Sequence, residues 1–371
     1  MGSFKKLFYH IIFLSLLFCG WWFYSKYKTA SDEKIISDAI KNNNFIVVLE
    51  KYCKLEVKEG KVSETSLQKY FYKAYALYYS GKHQESEVYW EYLLKHSNNS
   101  NHIANALFVL AEINFNDKNY DKAKEYFSKK ELALKDSKFY PEASLYLAKI
   151  AFEKEDFDLS ISILGALLVV DCSENMLKQI KDFAGIVSLQ RIFTRKITSN
   201  SVNYIIKPSD TLGGIADRFH TTVELIKKTN NYSSSVIHPN NHLKVVTSIF
   251  SIVISKSNNT LTVYENGSFF KEYSVGTGKD NVTPVGSFKI TRKQVNPTWY
   301  QNGNVIPYGS PENCLGTRWM SIDYPGYGIH GTNDEASIGS QSSAGCIRMK
   351  NTDVEEVFSY VIVNATVDIV E

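Results

Sequence analysis

Gly328-Ile-His330-Gly331-Thr-Asn-Asp-Glu-Ala-Ser-Ile-Gly-Ser-Gln-Ser-Ser343-Ala344-Gly345-Cys346-Ile-Arg348-Met349 is the stretch from which the rest of the chain is read. It sets a histidine at one end and a glycine-flanked cysteine at the other, with short polar loops between them. Attack by cysteine on a carbonyl carbon needs these parts, because the thiolate is the nucleophile and an imidazole must take its proton. The anion that forms on the carbonyl oxygen needs backbone N–H groups aimed at it. Gly345 lets the chain turn tightly beside Cys346 and leaves such amides uncovered. One cysteine and one histidine are equally what a buried small hydrophobe and a satisfied core histidine look like. The pattern of the whole segment therefore carries the reading.

Around this stretch the hydrophobic period is two. Ile249–Ser255, Thr260–Tyr264 and Phe269–Val275 read as strands. Asn258-Asn259 and Glu265-Asn266-Gly267 read as the hairpin turns between them. A helix is expected from Thr352 or Asp353 to about Val361, and a last strand from Thr366 to Val370. The run from His330-Gly331-Thr to Ser343-Ala344-Gly345-Cys346-Ile-Arg348-Met resembles the signature of the L,D-transpeptidase (YkuD-type) family. Thr283-Pro284-Val285-Gly286-Ser-Phe288 and Leu315-Gly316-Thr-Arg318-Trp319-Met320 match two further stretches of that family. The resemblance covers about Ile249 to Glu371, a full catalytic domain that is mostly β.

The resemblance implies roles. Cys346 is the nucleophile and His330 the base, with the carbonyl of Gly331 orienting the ring. Amides near Ala344, Gly345 and Cys346 form the oxyanion hole. Ser343 fixes the loop, and Arg348 either braces it or holds a substrate carboxylate. Trp319 and Tyr300 are site walls. No metal or organic cofactor is implied. Two departures stand out: Ala344 occupies a position where many members have histidine, and Cys314 one where proline is common.

Upstream, Val202-Asn-Tyr204-Ile-Ile-Lys-Pro-Ser209-Asp210-Thr211-Leu212 begins a segment read as strand, helix, helix, strand, ending at Leu243-Lys-Val245-Val. Ser209 or Asp210 is positioned to cap the first helix, and Thr221 with Glu224 forms a capping-box pattern for the second. By residues alone this is a small βααβ domain. It resembles a LysM module over its whole length, with Gly213-Gly214 where that family often has Trp-Ser. The resemblance implies binding of N-acetylglucosamine-containing glycan in a groove between Ser209, Asp210, Thr211 and Leu212 on one side and Ile237 and His238 on the other.

From Ser31 to Lys196 the period is helical. An internal repeat runs at 37 residues: Ala74, Ala111 and Ala148; Ser86, Ala123 and Ser160; Trp90, Phe127 and Leu164. Gly81-Lys82, Lys118-Asn119 and Glu155-Asp156 sit at the matching turns. The pattern resembles tetratricopeptide (TPR) repeats of slightly long period. These stripes are core, and the resemblance implies a concave surface for a protein partner. A helix over Glu174–Phe193 is expected to cap the stack.

Leu7 to Tyr24 is one apolar run with lysines at both ends and Trp21, Trp22 and Tyr24 near its close. Its length approaches what a bilayer needs. It reads as an N-terminal transmembrane anchor, with a cleaved signal peptide and a lipidated Cys19 as rivals. The charge balance of 42 Lys+Arg to 39 Asp+Glu gives no support for a nucleic-acid partner. The five cysteines have no metal-type spacing and do not form a disulfide framework. Cys53 and Cys172 are expected in helices as buried thiols.

The expected protein thus has four parts: an anchor or signal over 1–30, TPR-like repeats over 31–196, a LysM-like module over 202–247 and a catalytic domain over 248–371. The function implied is remodelling of peptidoglycan in a bacterial cell envelope, periplasmic and held to the inner membrane or secreted after cleavage. Stem tetrapeptides are cross-linked, or trimmed of D-alanine, through a cysteine thioester. The alternative is a catalytically idle scaffold that holds the wall and recruits a partner, for which only Ala344 speaks.

Overall fold

The computed structural model describes residues 32–371 except 59, 61 and 302. The expected transmembrane segment, Leu7 to Tyr24, lies outside the described residues. Among these, no helix is long and apolar enough to cross a membrane. The chain divides into two compact units between Ala143 and Ser144.

The first unit is helical: α1 (32–41), α2 (Phe45–Lys51), α3 (Glu64–Tyr79), α4 (His83–His96), α5 (Ser100–Asn116), α6 (Tyr120–Phe127), α7 (Lys130–Ala133) and the start of α8 (Tyr140–Glu153). The repeat's three turn positions, and one more at Asn43, share a backbone geometry. Asn43, Gly81, Lys118 and Glu155 have φ of 55°, 81°, 62° and 55°. At each, the next residue's N–H reaches back five residues: Asn44 to Ala39, Lys82 to Leu77, Asn119 to Asn114 and Asp156 to Ala151, at 2.8–2.9 Å. This is the Schellman arrangement, which satisfies the last carbonyls of a helix and turns the chain. The small residues of the repeat, Ala74, Ala111, Ala148, Ser86, Ala123 and Ser160, are all fully buried. Large Trp90, Phe127 and Leu164 are also buried. Cys53 departs from expectation: α2 ends at Lys51, and Cys53 lies exposed in the turn that follows.

In the second unit, α9 (Phe157–Leu167) and α10 (Glu174–Phe193) precede β1 (Ser201–Ile205), α11 (Leu212–Arg218), α12 (Val223–Asn230) and β2 (His242–Val246). Cys172 sits in the non-helical stretch between α9 and α10 and is half-buried. The expected capping helix α10 also serves the catalytic sheet. Gly185 leaves room for the stem of Lys271, and Lys181 pairs with Glu272 at 2.9 Å. Both partners belong to β5, so α10 lies along a strand that would otherwise be an open sheet edge.

β1 and β2 pair antiparallel, from Ser201 opposite Val246 to Ile205 opposite His242. Their helices close a small core of Ile206, Leu212, Ile215, Ala216, Ile226, Leu243 and Val245. The caps differ from expectation. The Asp210 carboxylate is taken by the Tyr204 hydroxyl and the Lys207 N–H at 2.7 and 2.8 Å, so Thr211 caps α11 by accepting from Gly214 N–H. Thr222, not Thr221, caps α12 by accepting from Leu225 N–H. Its hydroxyl also donates to the Ser359 carbonyl.

The stretch 197–201, Ile-Thr-Ser-Asn-Ser, whose polar composition reads in the sequence as a linker between the helical and βααβ parts, is built into the fold. Asn200 donates to Glu265 Oε1 at 2.7 Å, and Ser248 donates to the same oxygen. Arg191 of α10 pairs with the other oxygen of Glu265 and reaches Asp158 at 3.3 Å. Leu225 and Ile192 join Val246 and Phe250 in the catalytic core. Polarity here marks a buried network, not a solvated tether.

That core lies under an eight-stranded sheet in the order β13-β11-β10-β7-β14-β3-β4-β5. Its strands are β3 (Phe250–Ser255), β4 (Thr260–Glu265), β5 (Ser268–Ser274), β7 (Gly286–Val295), β10 (Arg318–Ile322), β11 (Gly328–His330), β13 (Ile347–Arg348) and β14 (Thr366–Val370), while β6 (Thr277–Gly278) pairs with β12 (Gln341–Ser343) and β8 (Trp299–Gln301) with β9 (Asn304–Ile306) in two separate two-stranded sheets. Helix α13 (Asn351–Tyr360) packs on it through Val354, Val357 and Phe358. In β3, Phe250, Ile252 and Ile254 point inward on alternate residues, each worth about 1.5–3 kcal/mol on burial. β11 runs parallel to β13, and this pairing sets the site.

Candidate active site

His330 ends β11 and Cys346 immediately precedes β13. The parallel register sets Ile329 beside Ile347 and His330 beside Arg348, which places Cys346 level with Gly328, two residues ahead of the histidine on the neighbouring strand. His330 is fully buried, and its ring stacks on Trp319 with centroids 5.5 Å apart. Nδ1 lies 2.5 Å from the Gly331 carbonyl oxygen. A carbonyl only accepts, so Nδ1 carries the proton and Nε2 presents a lone pair. Burial holds the imidazole down at about 4; the bond to Gly331 opposes this and the Arg348 charge adds to it.

The Cys346 thiol donates to the Gly326 carbonyl at 3.6 Å. Burial pushes the thiol up; the Gly328 N–H beside the sulfur pulls it down, as does Arg348, while Cys314 pushes it up. Thiol and imidazole are therefore both neutral at rest. Cys314 is half-buried, and burial raises it too, against the pull of Arg348. It stands close enough to Cys346 to push that thiol up.

The loop that carries Cys346 is held from three sides. Ser343 Oγ accepts the Gly345 N–H at 3.0 Å and donates to the Cys346 carbonyl at 2.7 Å. Thr283 Oγ1 donates to the Gly345 carbonyl at 2.8 Å. Gly345 has φ of +127°, and a Cβ there would lie 2.5 Å from Cε1 of Tyr327. Both facts require glycine. One expectation changes: the Gly345 amide is spent on Ser343 and does not face an incoming carbonyl.

Arg348 exchanges two backbone bonds of 2.8 Å with Gly276. Its Nε is buried without a hydrogen-bond partner. Ala344 is exposed, and Tyr300 stands exposed on β8. Gly326, Gly328, Tyr327, Thr283 and Asn351 escape the sequence reading as site residues. The spacing Tyr-Pro-Gly326-Tyr327-Gly328 ahead of His330 was the available signal for the first three.

Residues 250–369 match the L,D-transpeptidase catalytic domain (YkuD), and residues 204–246 match the LysM domain. YqjB of Bacillus subtilis is 43% identical over 122 residues, covering 31% of this chain and 68% of that protein. YkuD of Bacillus licheniformis is 36% identical over 167 residues, covering 43% of this chain and 92% of that one. YkuD of Bacillus subtilis is 34% identical over 167 residues, covering 43% and 93%. All three bear the name L,D-transpeptidase. The chain belongs to the L,D-transpeptidase family. Its enzyme class follows, and its LysM domain and catalytic domain fit binding to peptidoglycan.

The six residues expected at the glycan groove of this L,D-transpeptidase divide. Ser209, at φ +69°, Thr211 and His238 are exposed. Ile237 is half-buried against the same core as Leu212. Leu212 itself is 3% exposed and Asp210 is committed to Tyr204 and Lys207. Both residues help to build the module.

Proposed function

We propose that this L,D-transpeptidase acts by a thioester on Cys346. The Cys346 sulfur attacks the carbonyl between the L-centre of meso-diaminopimelate and the terminal D-alanine of a stem tetrapeptide. His330 Nε2 takes the thiol proton as the S–C bond forms. The imidazolium then gives that proton to the leaving amine of D-alanine. An amine of a second stem attacks the thioester, forming the cross-link and restoring the thiol. Water in that place trims the stem instead. The observation that carries this reading is the Nδ1-protonated ring of His330, one strand from a neutral thiol. Such a pair moves its proton during attack rather than before it.

With the Gly345 amide occupied, the amides of Ala344 and Cys346 are left for the oxyanion. The Gly328 N–H favours a negative sulfur, and Arg348 supplies positive charge for thiolate and substrate carboxylate alike. The LysM module would bind glycan strands through Ser209, Thr211, Ile237 and His238. The 37-residue helical hairpins are read as TPR-like and would recruit a protein partner. Residues 7–24 would anchor the enzyme to the inner membrane with its catalytic unit in the periplasm.

Incubation with a disaccharide tetrapeptide tests the reading. Release of D-alanine with dimer formation supports it. An absence of both from the wild type, with no acyl–diamine adduct when a diamine acceptor is supplied, would favour an idle scaffold.

A further inference from the structure

Asn351 opens α13, five residues after the nucleophile. Its amide lies between two loops. Oδ1 accepts the Thr317 N–H at 3.0 Å, and Nδ2 donates to the Thr332 carbonyl at 2.9 Å. The donors and acceptors on either side fix which atom is oxygen and which nitrogen. Gly316 and Gly331 form the cradle around it. A Cβ on either glycine would collide with Asn351 Oδ1, and one on Gly316 would also sit 2.6 Å from the Gly331 carbonyl carbon. Gly316, at φ +63°, is glycine for its backbone as well. The Gly331 N–H is tied in turn to the Arg318 carbonyl at 3.1 Å.

These bonds hold the peptide planes on either side of the Gly331–Thr332 peptide. The Arg318 carbonyl accepts the Gly331 N–H of the plane before it, and Asn351 Nδ2 donates to the Thr332 carbonyl of the plane after it. Between those points lies the Gly331 carbonyl that receives Nδ1–H of His330. A carbonyl free to rotate would let the imidazole exchange its tautomer, and the Nε2–H form cannot accept a thiol proton. We propose that Asn351 is a positioning residue: it fixes the Gly331 carbonyl and thereby keeps the lone pair of His330 on Nε2. This rests on His330 acting as the base for Cys346.

The test is ¹⁵N NMR of the full chain labelled at histidine, with the His330 signal identified by its loss in His330→Gln. The wild type is expected to show the Nδ1–H tautomer; a dominant Nε2–H signal there overturns the inference without any variant. Asn351→Asp keeps the volume and the bond to Thr317 but loses the donor to Thr332. Asn351→Ala loses both. Each is expected to mix the tautomers and to lower kcat for D-alanine release by about 10- to 100-fold, with KM within about 2-fold of wild type. Folded variants with wild-type kcat, or with reduced kcat and an unchanged tautomer, overturn it. His330→Gln separates the two levels. If that variant keeps full turnover, the base assignment itself fails; if it is dead while the Asn351 variants behave as wild type, only the present inference fails.

Discussion

Nδ1 of His330 and the carbonyl oxygen of Gly331 are bonded neighbours at 2.5 Å, and that contact decides which ring nitrogen can do chemistry. The same ring is buried deeply enough to titrate at about 4. The base is therefore neutral and competent through the whole neutral range. The acid limb of kcat/KM should fall near pH 4, dropping about tenfold per pH unit below it. A limb near the ordinary histidine value of 6.5 would mean that the ring is solvated in the free enzyme.

Burial of a neutral histidine also shapes stability. The folded value lies below the unfolded one, so the unfolded chain binds more protons between about 4 and 6.5. Stability contributed by the neutral ring is full above 6.5 and is lost as pH falls toward 4, by roughly 3 kcal/mol. Denaturant melts from pH 7 to pH 4 should lose less stability in His330→Gln than in wild type. Equal slopes would contradict the burial.

Gly345→Ala should abolish function while leaving the fold. The new methyl meets the Tyr327 ring at a backbone angle that L-residues avoid. The strain is about 1–3 kcal/mol, which the unit can absorb, but the Cys346 loop must move. Covalent labelling of Cys346 by a carbapenem, followed by mass, should slow by about 100-fold or more. Labelling at the wild-type rate would show that the loop has slack.

Glu265→Ala should loosen the second unit. It strips Arg191, Asn200 and Ser248 of their shared acceptor and leaves the Arg191 charge buried beside Asp158 alone. Breaking such a pair from one side costs about 3–5 kcal/mol. The midpoint of denaturation should fall accordingly. A change below about 1 kcal/mol would place the network's worth near that of a surface ion pair.

Much of this molecule is legible in its sequence, for physical reasons. Helix α10 and strand β14 have the expected limits because their hydrophobic periods end at strong boundaries, Ser173 as a side-chain cap and Ala365 before an alternating run. The helical turns were legible because a positive φ recurs at a fixed period. The hydrogen bonds of the site were not. Thr283 reaches Gly345 across 62 residues and Asn351 reaches Thr317 across 34, distances at which no local pattern speaks. That Asp210 bonds Tyr204 and Lys207 and that Leu212 turns into the core was not legible either, because a motif records residue types without saying which face inward. The 197–201 segment failed in the same way, since a buried polar network and a solvated linker have one composition.

The central claim is a covalent bond between the Cys346 sulfur and the donor carbonyl, with D-alanine expelled. Intact-protein mass spectrometry after rapid quenching with a disaccharide tetrapeptide tests it most directly. The account predicts a mass increase equal to the donor less D-alanine, mapped to the Cys346 peptide and absent from Cys346→Ala. D-alanine release by Cys346→Ala at the wild-type rate, or an adduct mapped to another residue, would contradict it.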